Sequence, residues 1–136
     1  MSEAMTTGQL QSLVEAGWGD RENLSPSRVP ADLAEAVEQT LDGLESGRFR
    51  VAEPLGPPGE WQVNQCLKKA VLLSFRVHES ELIEAGYTRF FDKLPLRWGS
   101  RHGEAIETIG ARVVPPATVR RGAHVGHDTV LMPSYV

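Results

Sequence analysis

The sequence predicts an α+β fold: a helical amino-terminal domain with a β-hairpin over residues 1–110, then the first, incomplete coil of a parallel β-helix over residues 111–136. Three observations predict it. Leu33, Val37, Leu41 and Leu44 recur at helical steps, as do Leu67, Val71 and Phe75. Two short alternating runs flank Gly56-Pro57-Pro58-Gly59, which has the composition of a hairpin loop. Finally, Val113, Val119, Val125 and Leu131 recur at an interval of six, a period that neither a helix nor a flat strand has.

Within residues 1–30 a short apolar pattern, Leu10, Leu13 and Val14, is mixed with Gly17, Gly19, Pro26 and Pro30, which predicts a brief helix and then a loop. From Ala31 the spacing is plainly helical, with Asp32, Glu35, Glu38 and Asp42 on the opposite side and Gly47 as the stop. That acidic side is expected to be solvated scaffold without chemistry. Residues 49–52 and 61–63 predict the hairpin strands. Asn64 is placed to cap a helix over residues 67–75, with Lys68 facing away from the apolar line. In residues 87–98, Phe90, Phe91, Pro95 and Trp98 are interleaved with Arg89, Asp92, Lys93 and Arg97, which suits an irregular segment packed across a core.

The six-residue repeat has three registers. Small residues hold the second, Ala117, Ala123 and Thr129, and turn-prone residues the third, Pro116, Gly122, Asp128 and Ser134. Such a unit forms one side of a triangular coil, so three units close a turn, with aliphatic side chains stacked inside and strands about 4.8 Å apart. The period does not reveal handedness, and a pair of ordinary short strands with Pro and Gly at the turns is the competing reading. Little more than one coil is present, too little to bury a continuous solenoid interior. Either more chain follows or this end pairs with another subunit, since Val125 and Leu131 would otherwise stay partly uncovered.

Composition narrows the partners. A net charge of −4 argues against nucleic acid, because neutralising phosphates needs a surplus of Lys and Arg. No stretch approaches the roughly 20 apolar residues of a membrane span. Glu3 stands where a signal peptide would be basic, so a cytoplasmic location is expected. Cys66 is the only cysteine, which precludes an internal disulfide, and it lacks a neighbour that would activate the thiol. His124 and His127, even with His102 or Asp128, do not have the spacing of a metal site on a coil, so no metal is expected. Ser134 has no nucleophile-elbow context and there is no glycine-rich phosphate loop. Lys68 and Lys69 are expected on a solvated helix face, and Arg120 and Arg121 at a solvated corner of the coil.

Three stretches carry a family resemblance: RVAEPLG followed by GEWQVNQCLKKAVLLSFRV, then YTRFFDKLPLRW, then ARVVPPATVRRGAHVGHDTVLMPSYV. Together, over most of residues 31–136, the chain resembles the tetrahydrodipicolinate N-succinyltransferases; its Gly56-Pro57-Pro58-Gly59 loop is richer in proline than that family's. The resemblance implies a helical domain followed by a left-handed β-helix. It also implies a homotrimeric enzyme of diaminopimelate and lysine biosynthesis, with active sites between neighbouring β-helices. In that family succinyl-CoA is the co-substrate, no cofactor is bound, and the amino group of tetrahydrodipicolinate or its opened form is acylated. The family's acid/base carboxylates and CoA contacts lie in later coils, so no catalytic residue is assigned here, the CoA-binding positions are unknown, and this chain alone is expected to be inactive. One position carries over: Arg112, the arginine of the RVVPP block, implied to bind the dicarboxylate acceptor. A guanidinium suits this because its planar donors match a carboxylate in two parallel hydrogen bonds. The alternatives are a plain surface arginine at a domain junction and, for the whole chain, a non-catalytic helical module that packs against partner subunits.

Overall fold

In the computed structural model of the chain, which describes residues 4–99 and 106–136, a reciprocal cap starts the first helix, α1 (Thr7–Gly19). The Thr6 hydroxyl accepts from the Gln9 N–H at 3.3 Å while the Gln9 side-chain oxygen accepts from the Thr6 N–H at 2.8 Å. Glu3 and His102 lie outside the described residues. The helix is longer than the glycines suggest, because Gly17 serves packing and not chain reversal. A Cβ at Gly17 would come within 2.6 Å of Leu33 Cδ2, so the bare backbone is what lets the next helix close on α1.

The second helix, α2 (Ala31–Glu45), follows the predicted pattern and buries Leu33, Val37, Leu41 and Leu44. It ends at Ser46, with Gly47 at φ +77° as the stop. The third helix, α3 (Gln65–Val77), completes a bundle whose core is Val14, Leu24, Leu33, Val37, Leu41, Ala70 and Leu73. Its buried face is not the expected one. Ala70, Leu73 and Ser74 point inward, and Leu67, Val71 and Phe75 are only half-buried. Small Ala70 and Ser74 let the helix backbone approach its neighbours, and that close approach outweighs the larger apolar line.

Between α2 and α3 runs a hairpin of β1 (Ala52–Pro54) and β2 (Trp61–Val63), antiparallel with Ala52 opposite Val63. Its first strand starts where the predicted run ended. The Phe49 N–H is instead taken by the Gly43 carbonyl at 2.8 Å, which wraps residues 47–50 around the end of α2. Asn64 occupies the cap position of α3 without capping it; its amide donates to the Arg50 carbonyl at 2.6 Å and to Glu53 Oε2 at 3.1 Å, tying the hairpin to the helix start.

A second hairpin, β3 (Glu81–Glu84) with β4 (Arg89–Asp92), stands where an irregular segment was expected. Its Leu82 and Phe91 face each other across the pair and are 58 % and 74 % exposed. The irregular path begins only after β4, with Leu94 buried.

After a short 3-10 turn (Ile106–Thr108), β5 (Arg112–Val113) pairs in parallel with β6 (Val130–Leu131), Arg112 opposite Val130 and Val113 opposite Leu131, an offset of 18 residues. Val119 and Val125 are buried between them in sequence. The next parallel bridge, Thr118 to Tyr135, spans 17 residues, so the second pass is one residue shorter at its corner. Four residues separate Val113 from Thr118, including the cis Pro115–Pro116 bond, and three separate Leu131 from Tyr135. In consequence Val136, whose N–H donates to the Thr118 carbonyl and whose carbonyl accepts from the Arg120 N–H, each at 2.9 Å, stands beside Val119. The described residues thus form an α+β structure of three α-helices and small two-stranded sheets.

Candidate functional site

What holds residues 111–136 against the helices decides where Arg112 is presented. Residues 94–99 act as a strap: the Arg97 N–H donates to the Val119 carbonyl at 2.9 Å and the Arg121 N–H to the Pro95 carbonyl at 3.1 Å. The Arg97 guanidinium adds a bond to the Ala123 carbonyl at 2.7 Å.

The main attachment is ionic and overturns the expected solvated corner. Arg121 is buried, its side chain 4 % exposed, and its guanidinium reaches Asp42 at 2.8 Å, Glu38 at 3.2 Å and Glu45. The three acids lie at helical steps of four and three, so they form one row on α2. Glu38 and Asp42 of this row were expected on a solvent-facing scaffold; Glu45 was not singled out. The Gly122 N–H also donates to Glu45 at 3.2 Å, and Gly122 takes φ +89°, a turn that favours glycine. Burial pulls the Arg121 guanidinium towards losing its proton, but Glu45 and Asp42 outweigh it and hold the charge in place. Arg120 is likewise engaged, with Asp92 Oδ2 at 2.5 Å and the Tyr135 hydroxyl at 2.8 Å, while its guanidinium lies 5.4 Å from the Phe75 ring centroid. The signal for the clamp, acids at 38, 42 and 45 with paired arginines at a coil corner, is present in the sequence.

His78 closes the same network from the end of α3. Its Nε2 lies 2.8 Å from Glu38 Oε1 and its Nδ1 2.7 Å from the Ser74 carbonyl. Both partners are acceptors, so both bonds are satisfied only when the ring carries its second proton. The hydrogen bond to Glu38, acting against burial, raises the imidazole above its ordinary value near 6.5; the same bond, again against burial, lowers Glu38 below 4.5. The folded chain therefore holds the His78 proton more tightly than the unfolded chain. That contribution is complete below about pH 6.5 and fades as pH rises through the folded value, whereas the Glu38 contribution is complete above about pH 4.5 and fades as pH falls. Stability should accordingly decline above about pH 6.5, by less than about 1 kcal/mol because Glu38 is 42 % exposed and screened. Thermal denaturation across this range checks it: His78→Asn should flatten the decline, and an unaltered decline in the variant would clear this pair of any part in it.

Arg112 itself lies on β5, exposed, with its N–H donating to the Thr129 carbonyl at 2.9 Å. Its guanidinium has no ion-pair partner among the described residues, which leaves its planar donors open to a ligand carboxylate. Arg112 and the Arg121 clamp thus occupy different places on the same coil, one open and one sealed.

The other candidates are accounted for by structure. His124 Nδ1 meets the Glu45 carbonyl at 2.8 Å, and His127 pairs with Asp128 at 3.0 Å, so the two histidines are engaged separately. Among the described residues no three His, Cys, Asp or Glu side chains gather as a metal site would require. Cys66 is half-buried, and burial is the leading cause that pushes its thiol above the ordinary value. Lys68 is exposed as expected, while Lys69 pairs with Glu15 at 2.6 Å. Ser134 donates to the Met132 carbonyl at 2.7 Å. No helix among the described residues is long and apolar enough to cross a membrane.

Residues 9–77 match the family model described as tetrahydrodipicolinate N-succinyltransferase N-terminal. The chain is similar to the 2,3,4,5-tetrahydropyridine-2,6-dicarboxylate N-succinyltransferase of Legionella pneumophila (strain Paris), with 49 % identity over 93 % of this chain and 45 % of that protein. Proteins of the same name from Ralstonia pickettii (strain 12J) and Leptothrix cholodnii are 50 % and 48 % identical, each over 96 % of this chain and 47 % of the relative. The chain thus spans a little under half the length of the curated relatives it matches.

Proposed function

Because the chain belongs to the tetrahydrodipicolinate N-succinyltransferase family, we propose that it is the amino-terminal part of an enzyme that transfers a succinyl group from succinyl-CoA to the amino group of tetrahydrodipicolinate or its opened form, in diaminopimelate and lysine biosynthesis. The observation that carries the reading is the identity of about half of all residues across nearly the whole chain.

In this proposal residues 111–136 are the first coil of a left-handed parallel β-helix that continues in the longer protein. The parallel pairing of β5 and β6 at an 18-residue offset supports it, as does the burial of Val119 and Val125. The full protein is a cytoplasmic homotrimer, with sites between neighbouring coils.

Amide formation from a thioester needs a neutral amine, an acceptor aligned with the carbonyl, and donors for the oxyanion of the tetrahedral intermediate. This chain contributes the second of these: Arg112 grips one carboxylate of the acceptor, which orients the amine without taking part in the proton transfers. The helical domain serves as the rigid footing for that arginine through the Arg121 clamp.

Arg112→Lys in the longer protein keeps the charge but loses the two-pronged geometry. The expected result is a KM for the acceptor raised about 10- to 100-fold, the equivalent of one charged hydrogen bond, with a much smaller change in the KM for succinyl-CoA. Unchanged acceptor kinetics would remove Arg112 from the site. Residues 1–136 alone should show no turnover in the same assay.

A further inference from the structure

A cleft of about 510 Å³ lies between α1, α2, the β1–β2 hairpin and the start of α3, within the roughly 300–1,000 Å³ of ligand sites. It is far in sequence from Arg112 and takes no part in the reading above. Hydrogen-bond donors converge on it. Arg48, Arg50, Gln11, Gln62 and Gln65 line the cleft, and none of the five side chains hydrogen-bonds or ion-pairs with another described residue. The lining acids, in contrast, are already engaged: Glu15 holds Lys69 at 2.6 Å and Glu53 accepts from Asn64 at 3.1 Å. The glutamine amides offer donors and acceptors alike, so the attraction for an anion comes from the two guanidiniums, Arg48 and Arg50, which have no carboxylate partner among the described residues.

The cleft also has an apolar side. Leu10, buried in α1, and Phe49 contribute it, and the Arg48 guanidinium is held 4.4 Å from the centroid of the Phe49 ring. A guanidinium stacked on a ring still offers its edge donors in the ring's plane. The surround is tied together in advance, since Asn64 joins the Arg50 carbonyl, Glu53 and the first turn of α3.

We propose that this cleft binds a small organic anion, with its carboxylate or phosphate group held by Arg48 and Arg50 and its apolar body against Leu10 and Phe49. The glutamine amides then set orientation by hydrogen bonds that fix no charge.

The test is nitrogen-edited NMR of the 136-residue chain titrated separately with benzoate, phenyl phosphate and benzyl alcohol. Benzoate or phenyl phosphate should give saturable shifts at the Arg48 and Arg50 side-chain N–H signals and at the Gln11, Gln62 and Gln65 amides, and benzyl alcohol should not. Whichever acid binds more tightly identifies the anionic group. Arg48→Gln with Arg50→Gln should weaken binding about tenfold or more, as expected for lost charged hydrogen bonds. Both side chains are exposed and have no hydrogen-bond or ion-pair partner among the described residues, and the Arg48 stack on Phe49 is an exposed contact, so the double variant should nearly keep its unfolding midpoint, which separates lost binding from lost fold. Equal binding by the double variant, equal binding of benzyl alcohol, or shifts scattered over Arg21, Arg76 and Arg112 without saturation would overturn the proposal. Acyl transfer is not measured, so failure here leaves the assignment of Arg112 untouched, and the reverse.

Discussion

Replacing Arg121 with alanine is expected to cost about 2–3 kcal/mol of unfolding free energy, because it leaves Glu45, 16 % exposed, without its cation, while Asp42 and Glu38, at 66 % and 42 %, are partly screened by water. For a chain of this size that is a drop of roughly 6–12 °C in Tm. The loss comes from two sources. The carboxylates lose a partner with 4 % side-chain exposure, an interaction that water screens poorly at Glu45 and well at Asp42, and they then repel one another along a single row of α2. Arg121→Lys should recover part of the loss, since one ammonium cannot reach three acids as the guanidinium fork does. Chemical denaturation measures both variants. A loss below about 1 kcal/mol for the alanine variant would mean that the clamp is worth no more than a surface ion pair.

The second large effect is expected at Leu41, which should lose about 2–5 kcal/mol on truncation to alanine. Leu41 is 2 % exposed and belongs to the three-helix core, and its Cδ2 lies 3.0 Å from where a Cβ on Gly122 would be. One side chain therefore touches both the bundle and the coil corner. Since Arg121 is the residue before Gly122, the two truncations should not add independently, and a double-mutant cycle should show a coupling of about 0.5–3 kcal/mol. Additivity within error would show that the apolar and ionic attachments act separately. A loss well under 2 kcal/mol for Leu41→Ala would mean that the core refills the space.

Much of the fold was legible because local chemistry and tertiary demand agree. Leu33, Val37, Leu41 and Leu44 face the core that their spacing implies, Gly47 ends α2 at positive φ, and the Gly-Pro loop does join two antiparallel strands. Where the reading departed from the structure, a contact between distant segments decided the matter. Gly17 looks like a breaker until Leu33 is set against it. On α3 the small residues Ala70 and Ser74 win the buried face, a choice that depends on how closely the other helices approach. The β3–β4 hairpin escaped notice because its Leu82 and Phe91 point outward, so its strands lack the alternation of a half-buried sheet.

The candidate site was legible in a different measure. Arg112 is singled out only by the family pattern around it, and nothing in its own spacing marks it out. Arg121 was passed over because a charge at a turn is ordinarily solvated, whereas here its partners lie on a helix 76 to 83 residues earlier. Pairing over such a separation leaves no trace in a local window. The acidic side of α2 is readable from its helical spacing, but that it faces Arg121 and not solvent appears only when residues 111–136 are brought beside it.

The shortened corner between Leu131 and Tyr135 makes phase a property of the corners and not of the sides. One missing residue advances everything downstream by a step, so the vertical column that begins with Arg112 and Val130 follows a different count from the column through Thr118 and Tyr135. A deletion or insertion in a straight side would swap its inward and outward residues at once, while the same change at a bend only shifts the pairing count beyond it. A change in length should therefore be tolerated best at the bends, where it leaves the inward and outward faces of the straight sides as they were.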